Sequence, residues 1–212
     1  KKKCLILIKN ANNMTQTTNI APVLPKTRKI PQRLVREVVG GRPFYYKGYK
    51  SVMNGTKKLE EIMGCSSLQA IIVSILDFFV KSNIDRKLYW TATNEAGLHL
   101  GHKNNLSTDL GIFLKEKVVL NDKYFEVAPQ IAIEVDVKID TDKEIDYVFS
   151  KAEELMAFGT EKVCWIMTQR RKIFVFAKGQ TTTVVEWHQD IELMEGITLN
   201  LQKLLDEEGV TY

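Results

Sequence analysis

The sequence predicts a mixed α/β domain, a central mixed β-sheet flanked by helices, on three observations. The stretch QIAIEVDVKID at 130–140 alternates without a slip from Ile131 to Ile139, the period-2 mark of a β-strand. The stretch TDKEIDYVFSKAEELMAFG at 141–159 repeats its apolar residues at helical spacing between a capping box and a glycine stop. Strand-like runs lie on both sides of that helix, some joined as hairpins, so the sheet must hold antiparallel pairs and one crossover. At 212 residues and 44% hydrophobic composition, the chain can bury such a core in one domain with an extra arm.

Residues 1–30 read as a basic, Pro-containing, largely irregular arm, and 31–212 as the single domain. Residues 1–36 hold nine Lys or Arg and no acid, which leaves 30 − 9 = 21 basic against 26 acidic residues from Glu37 onward. The body is therefore net acidic by about five charges, and the positive excess sits at the N-terminal end. The first methionine is Met14, and a start there would leave 1–13 upstream. The opening KKKCLILIKN imitates a signal peptide, but its apolar stretch is about five residues against the ~7–15 required, so secretion is rejected.

After the arm, RLVREVVGGRPFYYKGY predicts two short strands turning at Gly40-Gly41. Residues 49–64 predict one or two short helices broken at Asn54-Gly55, with Thr56 as N-cap of the second. Ser66 or Ser67 then caps an apolar helix ending near Lys81. Its core, Leu68 to Val80, contains Gln69, Ser74 and Asp77, too short and too polar a run to span a bilayer. Strands follow at 87–93, 109–115 and 130–139, with the Gly- and Asn-rich EAGLHLGHKNNLST read as a loop between the first two. The helix from Thr141 to Phe158 is long enough to bring KVCWIMT back parallel to QIAIEVDVKI. A meander through RKIFVFAKG and TTVVEWH and a short helix near 200–207 complete the chain. Cys4, Cys65 and Cys164 are odd in number and lack metal-type spacing, which predicts free thiols in a reducing, cytoplasmic compartment.

The chemistry centres on the polar row of the alternating stretch: Glu134, Asp136 and Lys138. Buried acids repel unless a cation or lysine neutralises them, and here a lysine stands two residues away. Asp109, at the start of the preceding strand, supplies a third acid. Oxygen ligands for Mg²⁺, with Mn²⁺ as a substitute, beside a lysine are the parts of metal-assisted phosphodiester hydrolysis. The competing explanation is an edge strand whose charged face meets water. His99 and His102, spaced by three in a Gly-flanked loop, lack the partners of a zinc site and read as loop structure. Gln169-Arg170-Arg171-Lys172 falls at a hairpin tip, a basic surface that could also touch phosphate.

The order T-D at 108–109, I-E-V at 133–135, K-A-E-E-L-M-A-F-G at 151–159 and V-C-W-I at 163–166 resembles the Uma2 family of PD-(D/E)XK nuclease-like proteins. The resemblance spans roughly residues 31–205 and includes E-E-I at 60–62 before the apolar helix. It implies a restriction-endonuclease-like core and a Mg²⁺-dependent endonuclease acting on DNA, with Asp109 and Glu134 as the motif's two acids. Two departures stand out: Thr108 replaces the motif's proline, and Asp136 stands where the plain motif has lysine. Two assignments follow, one with Asp136 and Lys138 as the D-x-K, the other with Glu134 as strand acid and Lys151 as the cation. The strand-borne Lys138 is favoured because it needs no helix placement to face the metal. Glu61 is a further candidate approaching from the helical region. No membrane partner is expected, and a homodimer is allowed. The alternative is a catalytically silent nuclease-fold module that binds nucleic acid or protein, which the acidic body favours.

Overall fold

The computed structural model describes residues 29–102, 104–139 and 141–211. The chain divides into two units, 1–30 and 31–212, and almost all of the expected arm lies outside the described residues. A 3₁₀ turn at Gln32–Leu34 leads into β1 (Val35–Val39) and β2 (Arg42–Tyr45), an antiparallel pair turning at Gly40 and Gly41. Both glycines have positive φ, 54° and 78°, which is why glycine occupies them. Next come α1 (Tyr49–Met53) and a 3₁₀ turn at Leu59–Glu61. Thr56 caps nothing here: its hydroxyl donates back to the Ser51 carbonyl, and the 3₁₀ turn starts instead where the Lys58 N–H donates to the Glu61 carboxylate. Helix α2 (Ser67–Asn83) starts on a capping box between Ser66 and Gln69.

The central sheet has six strands in the order β3-β4-β5-β6-β7-β8: β3 (Tyr89–Gly101), β4 (Asn104–Leu114), β5 (Ile131–Asp136), β6 (Lys162–Met167), β7 (Lys172–Ala177) and β8 (Thr183–Glu186). Only β5 and β6 run parallel, joined by α3 (Asp142–Phe158). Thr141 and Glu144 box the start of α3 and Gly159 ends it, as its sequence predicts. A small antiparallel pair, β9 (Ile191–Met194) and β10 (Ile197–Leu199), and helix α4 (Leu201–Glu207), capped by Asn200, follow. One sheet face packs Ile133, Val135, Cys164 and Ile166 on Ile72, Leu76 and Val80 of α2 and on α4. The other packs Phe113, Ala132, Val163 and Trp165 under α3 and the β1–β2 hairpin. Among the described residues no helix is long and apolar enough to cross a membrane.

Two further expectations need correction. The segment read as a loop, 95–108, is most of a long β3–β4 hairpin. Its polar composition has local causes: Asn94 and Glu95 take positive φ at a break in register between Thr93 and Ala96, and a Cβ on Gly97 would run into the ring of Tyr124. Beneath that polarity, Ala96, Leu98, Leu106 and Thr108 are buried on the inward side. The second correction is that β5 stops at Asp136. Asp136 accepts its neighbour's N–H from Val137, and Ile139 packs with the cluster opposite to that of Ile131, Ile133 and Val135. The sequence alternation outruns the strand, and Lys138 leaves it.

Candidate active site

All six residues of β5 are buried, so its polar row is not a solvated edge. The β4–β5 ladder sets Leu110 opposite Ile133, and one more step along the same register sets Asp109 opposite Glu134. Opposed residues of an antiparallel pair share a face, here the face beneath α3. The Oδ2 of Asp109 accepts the Val135 N–H at 2.8 Å, taking over where the main-chain pairing ends. Thr108, in the place of the motif's proline, is buried with its hydroxyl near the Ile133 carbonyl.

Helix α3 delivers the cation. Lys151 is 1% exposed and its Nζ donates to Glu134 Oε2 at 3.0 Å. It also lies 3.2 Å from Glu37 Oε2. Tyr147, one turn earlier on the same helix face, donates its hydroxyl to that Glu37 oxygen at 2.6 Å. The other Glu37 oxygen accepts from the backbone N–H and hydroxyl of Ser107, at 2.7 and 2.9 Å. Glu134 Oε1, by contrast, is buried with no hydrogen-bond partner.

Glu37 reaches this network through an irregularity. The β1–β2 register shifts between Val35 and Glu37, a β-bulge that places Arg36 as the extra residue. Regular alternation would send Arg36 and Glu37 to opposite faces, yet both meet Tyr147: Glu37 accepts a hydrogen bond from its hydroxyl, and the Arg36 guanidinium lies 5.3 Å from the centre of its ring.

Burial and mutual repulsion dominate the electrostatics. Burial pushes the Glu134 carboxyl up to about 8; Lys151 opposes the shift, and Asp109 and Glu37 add to it. Burial also raises Asp109, against the pull of the Val135 N–H and Lys151. Burial works against Glu37 too, but Lys151, Tyr147 and Ser107 overcome it and hold that carboxyl below its ordinary value. For Lys151, burial favours the neutral amine, yet Glu134 and Glu37 prevail and keep the ammonium protonated well past its usual range. The lysine is therefore a fixed positive charge.

No family model matches the chain, and no curated protein sequence matches it. Among solved structures it is similar to one described as a "putative nuclease belonging to DUF820" from Anabaena variabilis, at 14% identity and a TM-score of 0.60. The likeness covers 80% of this chain and 89% of that one. The chain thus has a nuclease-like fold, a mixed α/β core around a six-stranded sheet.

Within that fold the candidates separate. Asp109, Glu134 and Lys151 come together. Asp136 shares their face, but its Oδ1 is engaged by Lys47 Nζ at 2.9 Å and by the Val137 N–H. Lys138 lies beyond the strand end, and its carbonyl accepts from Lys47 at 2.5 Å. The expectation that it shares the strand face of Glu134 is overturned by that early strand end. Glu61 sits exposed on its 3₁₀ turn with its carboxylate on the Lys58 N–H, and Glu37 occupies the place proposed for it. His99 pairs with Asn105 through Nδ1, 2.6 Å from Oδ1. Among the described residues no group of three or more His, Cys, Asp or Glu forms a ready-made metal cluster. Glu37 and Arg36 are the residues that sequence reasoning missed. Their one signal is an adjacent opposite-charge pair inside the apolar strand VREVV.

Proposed function

We propose that the chain is a Mg²⁺-dependent nuclease that hydrolyses phosphodiester bonds of DNA, Mn²⁺ substituting. The observation that carries this reading is the meeting of Asp109, Glu134 and the Lys151 ammonium on one face of the central strands of a nuclease-like fold. The donor set suits a hard divalent cation: two carboxylates, one of them with a buried oxygen, Glu134 Oε1, that has no partner. Asp109 and Glu134 would hold the ion, which when bound lowers the pKa of water and offsets phosphate charge.

The chain's own residues supply the rest. With its proton held, Lys151 acts by charge rather than as a general base, fixing Glu134 and offsetting negative charge that builds on the scissile phosphate. Glu37, oriented by Ser107 and Tyr147, fixes Lys151 in turn. A second reading, a silent nuclease-fold binding module, draws on the same lysine: Lys151 is almost wholly enclosed and paired with Glu134 and Glu37, as in a purely structural ion network.

End-labelled single- and double-stranded DNA incubated with Mg²⁺, Mn²⁺ or chelator separates the two. Cleavage that needs metal and is lost in folded Glu134→Gln and Asp109→Asn supports the nuclease. No cleavage by the parent with either ion, under conditions where it binds DNA, leaves the binding module.

A further inference from the structure

A cleft of about 590 Å³ opens beside the acid cluster, between the β1–β2 hairpin with its following loop and the first turns of α3. Its size falls in the range of roughly 300–1,000 Å³ typical of small-ligand sites. Asp136 and Tyr147 are part of its lining, which joins it to the candidate active site. Two features of the lining bear on what it takes.

The first is charge. Asp136 is already matched by Lys47, and the Glu144 carboxylate accepts the Thr141 N–H at 3.2 Å. Arg42 is matched at the rim by Asp146, at 3.5 Å. Among the described residues no hydrogen bond or ion pair within 4.0 Å engages the Arg36 guanidinium; it rests on the Tyr147 ring, and Asp136, Glu37 and Glu134 favour its charge from farther away. A guanidinium carries a fork of donors that suits a phosphate, and the bulge in β1 aims this one into the cleft. The second feature is aromatic. Tyr45 and Tyr49 line the same cleft with ring centres 5.0 Å apart and planes at 33°. Base stacking on such rings is tolerant of sequence and needs an unpaired base, since a base inside a duplex already has both faces covered.

The geometry points to a pocket for one unpaired nucleotide of a nucleic-acid strand, its phosphate on Arg36 and its base against Tyr45 and Tyr49. The choice of a nucleic-acid ligand rests on the nuclease reading. The pocket deepens that reading by assigning the substrate class: single strands, flaps or frayed ends in preference to closed duplex.

The test is fluorescence anisotropy in chelator, so that binding is read without hydrolysis. The probes are a labelled oligothymidylate, a blunt duplex of the same length and unlabelled thymidine monophosphate as competitor. The single strand should bind the parent about tenfold tighter than the duplex. Tyr45→Ala should lose roughly tenfold in single-strand affinity, Tyr45→Phe should retain it, and Arg36→Gln should weaken binding and lower the salt slope by about one phosphate contact, ~0.7. Circular dichroism confirms folding, and Tyr49→Ala serves if Tyr45→Ala does not fold. Equal affinity for duplex and single strand, or tyrosine variants that bind like the parent, would overturn the pocket. Displacement of the oligonucleotide by equimolar thymidine monophosphate would overturn its assignment to a strand. Strand-selective binding without any cleavage keeps the pocket and removes the nuclease; cleavage with no strand preference does the reverse.

Discussion

Lys151 and Lys138 differ most in what their removal would expose. Truncating Lys151 would leave Glu37 buried as a carboxylate without its cation, beside Glu134, a loss of about 3–5 kcal/mol in stability. Lys138→Ala, at a half-buried position beyond the strand, should cost less than about 1 kcal/mol. Urea denaturation of the two variants reads the difference; equal midpoints would show that the buried triad is not the keystone its geometry implies. Glu134 provides the pH test. In the fold it keeps its proton to about 8, against an ordinary 4.5, so between those values the native state holds the extra proton. Its contribution to stability is complete below about pH 4.5 and is lost as the pH rises through about 8. Glu134→Gln never ionises. Without metal, its Tm relative to the parent should climb from about pH 5 to about pH 8; a flat or falling difference would refute the raised carboxyl. At this scale the sequence named Asp109, Glu134 and Lys151 as candidates through their order, and the fold brings them onto one face. The sequence could not rank Lys151 over Lys138, because that depends on where β5 stops, and the stop is enforced by Asp136 and Lys47, which are distant in sequence.

Single elements were legible where their signals are local. The capping boxes at Ser66 and Thr141, the Gly159 stop and the Gly40-Gly41 turn are written within a few residues of where they act. The β3–β4 hairpin was not, because its glycines and asparagines serve backbone turns and close packing inside the sheet rather than a loop. Gly111 in β4 is such a case: a Cβ there would lie 2.6 Å from the buried ring of Phe113, which stacks on Phe125 at 4.3 Å between ring centres. Gly111→Ala should therefore destabilise by about 1–3 kcal/mol through overpacking, although alanine is an ordinary strand residue. A thermal melt at or above that of the parent would mean the sheet can yield there. The bulge at Arg36 belongs to the same class. Only the adjacent Arg36–Glu37 pair inside VREVV hints at it, and yet it sets both the carboxylate that steadies Lys151 and the guanidinium of the cleft.

Over the whole molecule, charge and topology pull in different directions. From Glu37 onward the chain carries 21 basic and 26 acidic residues, so whatever affinity that part has for a polyanion must come from placement, such as Arg36 on Tyr147, and not from net charge. The fold class was readable because the crossover is: two strand patterns separated by one capped helix allow little besides a parallel pair. The clasp on Lys151 joins partners far apart in the chain. Glu37 meets Ser107 across 70 residues and Tyr147 across 110, whereas β3–β4 and β5–α3–β6 close over short spans. Closing the longer loops costs more chain entropy, and that favours an order in which the sheet and α3 assemble first and the N-terminal hairpin docks last. Native-state hydrogen exchange reads that order: amides of β1 and β2 should open well before those of β5 and β6, and simultaneous opening would refute it. A folding intermediate of this kind would hold a finished sheet and an unfinished candidate site, so whatever the site binds would be bound only after the sheet is complete.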